Sequence, residues 1–189
     1  MSDGTTRSQP RSELPPVRRL EIGRVGVGNA ELLKVKEEMR RRTSRLFRRS
    51  LHIRTVDTGS CGSCESEIKL LAAPHYDLHR LGLFFTPAPR HADCLLVTGP
   101  GTRSMDHALQ AVYEAMPDPK IVVAVGACPL GGVFAPDQYS HGAIAELLPV
   151  DVVIPGCPPS PLALLQGLLV AVDQLQERQT TRIDLSRSS

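Results

Sequence analysis

A chain of 189 residues with a hydrophobic share of 41% can bury one core of its own. Trp is absent and aromatic residues make up only 4%, which argues against a stacking platform for single-stranded nucleic acid. The net charge of +2 hides an asymmetry: residues 1–54 carry 14 Lys+Arg against 6 Asp+Glu, and residues 55–189 carry 8 against 14. A basic arm therefore precedes a mildly acidic domain, and the arm suits an anionic lipid surface, nucleic acid or an acidic partner.

Met1–Pro16 is rich in Ser, Thr, Pro and Arg and lacks the apolar segment of a signal peptide. It is expected to be disordered, within an arm over 1–28, and the default compartment is cytoplasmic. A helix is expected over 29–50, where Leu32, Val35, Met39, Leu46 and Phe47 recur near helical spacing and Thr43 interrupts the stripe. Arg40, Arg41, Arg42, Arg45, Arg48 and Arg49 crowd its second half. That concentration favours a basic amphipathic element on a membrane or partner subunit over a merely solvated surface helix. An α/β domain is expected over 51–178, with a short tail over 179–189. Its strands are His52–Val56, Leu81–Phe85, Asp93–Thr98, Lys120–Val125 and Asp151–Ile154. Its helices are Glu65–Ala72, one capped by Ser104 and running to Met116, and one opened by Ser160 and Pro161 and running to about Gln176. Continuously apolar strands alternating with helices predict a parallel sheet covered on both faces.

Four of the five cysteines fall in the loops after three of these strands: Cys61 and Cys64, Cys128, and Cys157. Ligands of open parallel sheets bind beyond the carboxyl ends of the strands, so the four thiolates can converge. Four sulfurs are the inventory for a 4Fe–4S cluster or a structural zinc. Spacing alone does not decide between them, although a single Cys-x-x-Cys with two distant cysteines suits a buried cluster better than a zinc knuckle. Gly59, Gly62, Gly126 and Gly156 flank the ligand loops and permit close backbone approach. Cys94, at the start of a strand, reads as a buried structural thiol. His75 and His79 lack a third ligand nearby, and Gly99-Pro100-Gly101 reads as a tight turn rather than a phosphate cradle.

The stretch Val56-Asp57-Thr58-Gly59-Ser60-Cys61-Gly62-Ser63-Cys64-Glu65 resembles the proximal-cluster motif of hydrogenase small subunits. Pro89–Asp93 with Leu95–Gly99, Val125–Pro129 and Pro149–Pro159 look like the following blocks, in order. The chain is similar to the superfamily of the complex I B-subunit, and most like the small subunit of membrane-bound group-4 nickel–iron hydrogenases, formate hydrogenlyase included. The resemblance implies a flavodoxin-like fold with helices on both faces, behind a basic N-terminal arm and helix. It implies one 4Fe–4S cluster held by Cys61, Cys64, Cys128 and Cys157, which would relay electrons between a nickel–iron site and ferredoxin-like subunits. The partners so implied are a hydrogenase-like large subunit, a ferredoxin-like Fe–S subunit, and membrane subunits or anionic lipid met by residues 29–50; nucleic acid is not among them. The expected location is cytoplasmic, peripheral on the inner face of the cell membrane. The complex I B-subunit has two adjacent cysteines where this chain has Cys61-x-x-Cys64, which leaves a quinone oxidoreductase of the complex I type as the alternative and a zinc adaptor as a remoter one. Thr58 stands where the formate hydrogenlyase small subunit carries a further cysteine. The family associates the acidic residue matching Glu65 with proton movement; read locally, Glu65 is a first-turn carboxylate meeting a helix dipole.

Overall fold

Branched apolar side chains pack well on a pleated surface, and runs of them form most of the strands. The computed structural model describes residues 18–19, 29–47, 50–131 and 136–187. Its strands are β1 (Arg18–Arg19), β2 (Leu51–Asp57), β3 (Leu83–Phe85), β4 (Cys94–Thr98), β5 (Ile121–Val125) and β6 (Val152–Ile154). They lie in the order β1-β6-β5-β4-β2-β3, with every neighbouring pair parallel. Apart from β1, this is the flavodoxin-like order, which reverses direction between β2 and β4. All residues of β4 and β5 are buried, as central strands covered on both faces must be.

The helices are α1 (Asn29–Phe47), α2 (Ser63–Leu70), α3 (Asp106–Ala115) and α4 (Pro161–Arg187). The pleat sends Val123 and Val125 to a core shared with Leu32, Met39, Ile68 and Leu164, from α1, α2 and α4. Val122 and Ala124 face the other way, to Leu109 of α3 and Ile144. Helices therefore cover both faces, as the sequence predicts.

Thr43 does not interrupt the stripe of α1. It is only 4% exposed, and a Cβ on Gly82 would fall 2.9 Å from its methyl group, so a small branched residue fits where that loop closes. The apolar side of α1 packs on α4 within the chain's own core. Gln166 donates to Glu31 at 3.2 Å, and Arg42 pairs with both Glu38 and Asp173. Leu33, Lys34, Glu37 and Arg40 face outward. Met1–Pro16, Arg48 and Arg49 lie outside the described residues, as do the side chains of Arg45, Leu46 and Phe47.

Besides α2, which spans Ser63–Leu70 rather than Glu65–Ala72, and α1, which ends at Phe47, three boundaries differ from expectation for a visible reason. Ser104 does not cap a helix: it sits in a 3-10 turn over Arg103–Met105, its hydroxyl turned to Thr102, and α3 starts at Asp106. Leu81 ends a 3-10 turn over Leu78–Leu81, and Gly82 takes the left-handed conformation that lets β3 begin at Leu83. Ser160 does cap α4, accepting from the Ala163 N–H at 3.3 Å, but the helix runs on to Arg187. Arg178 anchors that extension by donating to the Lys120 carbonyl at 2.6 Å and pairing with buried Asp151.

Candidate metal centre

Sheet register explains how distant cysteines meet. Asp57, Thr98, Val125 and Ile154, the last residues of β2, β4, β5 and β6, stand side by side across the sheet. The loops that leave this edge carry Cys61, Cys128 and Cys157 within three or four residues of it. Asp57 folds the first loop by accepting from Gly59 N at 2.9 Å and Ser60 N at 2.7 Å with one carboxylate oxygen. This Asx turn is what an Asp two residues before a Gly encodes. Gly62, left-handed at φ 86°, then starts α2, so Cys64 enters its first turn beside unpaired backbone N–H groups.

Cys64 is buried, Cys128 is half-buried, and Cys61 and Cys157 are exposed. The Cys64 thiol is pushed up to about 12, by desolvation first, then by the charges of Glu65, Cys128, Cys61 and Cys157. Cys128 is raised for the same leading reason, then by Cys157 and Cys61. The hydroxyl of Ser63, 3.3 Å from Cys61 Sγ, lowers that thiol instead. Three loops thus bring Cys61, Cys128 and Cys157 within electrostatic reach of Cys64, and Cys61 and Cys157 within reach of Cys128. Gly126 sits at φ 100° beside them, and a Cβ there would lie 2.8 Å from Cys64 Sγ.

Among the described residues no three His, Cys, Asp or Glu side chains form a group that could hold a metal ion. Both carboxylate oxygens of Glu65 are buried and lack a hydrogen-bond partner. Cys94 opens β4 at the opposite end of the sheet, fully buried, and burial raises its thiol strongly. His75 and His79 are separated by the turn into Leu78 and meet different rings, His75 edge-on to Tyr76 and His79 stacked on Phe84. His141 pairs with Asp106 at 2.8 Å; no local spacing signals a contact between residues so far apart in the chain.

The four cysteines all fall within residues 61–171, the span matched by the family described as "NADH ubiquinone oxidoreductase, 20 Kd subunit". The chain belongs to that family. Within it, the chain is 47% identical over 121 residues to a probable membrane-bound hydrogenase subunit of Pyrococcus furiosus, covering 64% of this chain and 72% of the relative. It is 41% identical over 133 residues to formate hydrogenlyase subunit 7 of Escherichia coli, covering 70% of this chain and 52% of that one. The B-subunit of NADH-quinone oxidoreductase from Geobacter metallireducens is 50% identical over 116 residues, covering 60% and 67%. Among solved structures, a chain of an archaeal membrane-bound sulfane sulfur reductase superposes with a TM-score of 0.60 at 32% identity, over 74% of this chain and 77% of that chain. The expected superfamily and the α/β fold are thus both found. No helix among the described residues is long and apolar enough to cross a membrane.

Proposed function

We propose that Cys61, Cys64, Cys128 and Cys157 hold one 4Fe–4S cluster, and that the chain is the electron-relay subunit of a membrane-associated, hydrogenase-type oxidoreductase complex. The delivery of four thiols by three loops from one edge of the sheet carries this reading, and the charges of Cys61 and Cys157 raise the thiols of both Cys64 and Cys128. The surroundings fit such a group. All four donors are sulfur. Gly126 leaves open the space beside Cys64 Sγ that any side chain would fill. A zinc is held by a compact tetrahedron of donors, most often two Cys-x-x-Cys knuckles, whereas here one Cys-x-x-Cys is joined by two single cysteines from other loops.

Bound there, such a cluster would take up and release one electron at a time. The protein's own residues supply the rest. The first turn of α2 offers N–H groups and the positive end of a helix dipole to the thiolates. Ser63 adds a hydrogen bond at Cys61. The apolar core beneath Cys64 keeps water from one side of the site. The exposed Cys61, Gly62, Ser63, Cys157 and Pro158 mark the side a large subunit with a nickel–iron site would cover, with a ferredoxin-like subunit as the other partner in electron exchange. The outward side of α1, with Lys34 and Arg40, is available to membrane subunits or anionic lipid. Glu65 is the group for moving a proton at the partner-facing side, since both its oxygens are buried and unpartnered. Glu65→Gln should keep the iron and slow turnover of the complex; an unchanged rate across pH would remove that role.

Membership in a complex I-type quinone oxidoreductase is the second reading, supported by the 50% identity to a B-subunit of such an enzyme. The Cys61-x-x-Cys64 spacing favours the hydrogenase side. The test is a Cys→Ser series made anaerobically in the assembled complex. Each of the four substitutions should abolish or strongly alter the reducible visible absorption of the site. Full retention in two or more of them contradicts the ligand set.

A further inference from the structure

Thr58 lies three residues before Cys61 and is 0% exposed. Every hydrogen-bonding group it has reaches the last residue of β4 or the loop that follows it. Its N–H donates to the Thr98 carbonyl at 2.9 Å, and its hydroxyl donates to the same oxygen at 2.6 Å. The hydroxyl also accepts from the Gly101 N–H at 3.1 Å, and its carbonyl accepts from the Thr102 N–H at 3.0 Å. The contact is tight on both sides. A Cβ on Gly99 would fall 2.9 Å from Thr58 Oγ1, and one on Gly59 would fall 2.5 Å from the Thr102 methyl.

The position matters because β2 and β4 flank the point where strand order reverses. Sheets of this kind usually open a ligand crevice there. In this chain Thr58 hydrogen-bonds the two loops together at that point. The far side is braced in turn: the Ser140 hydroxyl donates to the Pro100 carbonyl at 3.1 Å, and His141 N donates to the Gly101 carbonyl at 2.9 Å. With the Asx turn of Asp57 holding Gly59 and Ser60, each residue from 57 to 60 is fixed before the chain reaches Cys61.

We propose that Thr58 is a positioning residue for the thiolate site: its hydroxyl locks the Cys61–Cys64 loop to the loop after β4 and thereby sets the geometry and reduction potential of the group those thiolates hold. This rests on the cluster reading above. A threonine hydroxyl is donor and acceptor at once. Valine has the same shape and is neither, so Thr58→Val strips the Gly101 N–H of its acceptor while filling the same volume. Cluster potentials respond to hydrogen bonds at the sulfurs and to solvent exposure, and both follow the placement of Cys61.

The experiment compares wild type, Thr58→Val and Thr58→Ser in the anaerobically purified complex. Three quantities are read: midpoint potential from a spectroscopically monitored redox titration, the electron paramagnetic resonance line shape of the reduced site, and the rate of iron loss to a chelator. Thr58→Val should shift potential and line shape and lose iron about tenfold faster, the rate equivalent of one buried hydrogen bond. Thr58→Ser, which restores the hydroxyl without the methyl group, should match wild type in all three. If Thr58→Val does not fold, Thr58→Ala serves in its place. Wild-type potential, line shape and iron retention in the valine or alanine variant, with only a lower melting temperature, would reduce Thr58 to a structural residue and overturn the proposal. So would a serine variant shifted as far as the valine one. Wild-type protein without iron would instead bring down the cluster reading on which the proposal stands.

Discussion

Two glycine-to-alanine substitutions separate backbone strain from intrusion into the thiolate site. Gly126 and Gly62 both have positive φ, 100° and 86°, so an alanine at either incurs a left-handed penalty of about 1–2 kcal/mol. They differ in what the new Cβ meets. At Gly62 nothing lies within 4 Å, whereas at Gly126 Cys64 Sγ lies at 2.8 Å. A relaxed contact needs about 3.5–4 Å, so Sγ or the loop must give by roughly 1 Å. Forced overpacking of that kind adds about 1–3 kcal/mol, bringing Gly126→Ala to about 2–5 kcal/mol. More telling is the displacement, since metal–ligand distances tolerate only about 0.2 Å. Iron per chain and the thermal melt should be measured for both variants. Gly62→Ala should keep its iron with a modestly lower melting temperature. Gly126→Ala should lose most of its iron. Full iron in Gly126→Ala, or equal loss in both variants, would refute the claim that Gly126 is empty because the site needs the space.

Other outcomes are specific as well. In iron-free protein the Cys64 thiol is raised from 9.0 to about 12, chiefly by desolvation and then by Glu65. Because the folded value lies above the unfolded one, this contribution to stability is complete below about pH 9 and is lost as pH rises towards 12. Denaturant unfolding of iron-free wild type should weaken across that window more than iron-free Cys64→Ser does; parallel profiles would contradict the assignment. Arg178→Ala leaves Asp151, only 4% exposed, with the Val122 N–H at 2.8 Å but without its cation. The expected loss is about 3 kcal/mol of stability by denaturant titration, the lower end for a broken buried pair because Arg178 is itself partly exposed; a loss below about 0.5 kcal/mol, the level of an ordinary surface change, would contradict it. Cys94→Ala, at the far end of the sheet, should lower stability by about 1 kcal/mol and leave iron content unchanged; lost iron would place Cys94 in the site.

Much of this was legible in the sequence because the signals were local. Val122, Val123 and Val152–Ile154 announce buried parallel strands, and a cysteine within a few residues of a strand's carboxyl end already points to the sheet edge. Ser160 with Pro161 marked the start of α4. What was not legible depends on contacts between distant segments. Thr43 reads as a break in the sequence, but the loop at Gly82 needs a small residue there. The stripe of α1 reads as a face for a membrane or a partner subunit, but α4 of the same chain covers it. The hydroxyl of Thr58 has no meaning in the sequence apart from Gly101, 43 residues on, and α4 outruns its apolar pattern because Arg178 finds Asp151. The Asx turn was available in principle, since Asp57 precedes Gly59 by two.

The central claim is that the four convergent cysteines hold iron and sulfide. Iron, acid-labile sulfide and zinc should be counted in anaerobically purified wild-type protein, alongside its spectrum before and after reduction. The account predicts about four irons and four sulfides per chain, no stoichiometric zinc, and visible absorption that bleaches on reduction. A colourless protein with one zinc per chain and no sulfide would contradict it.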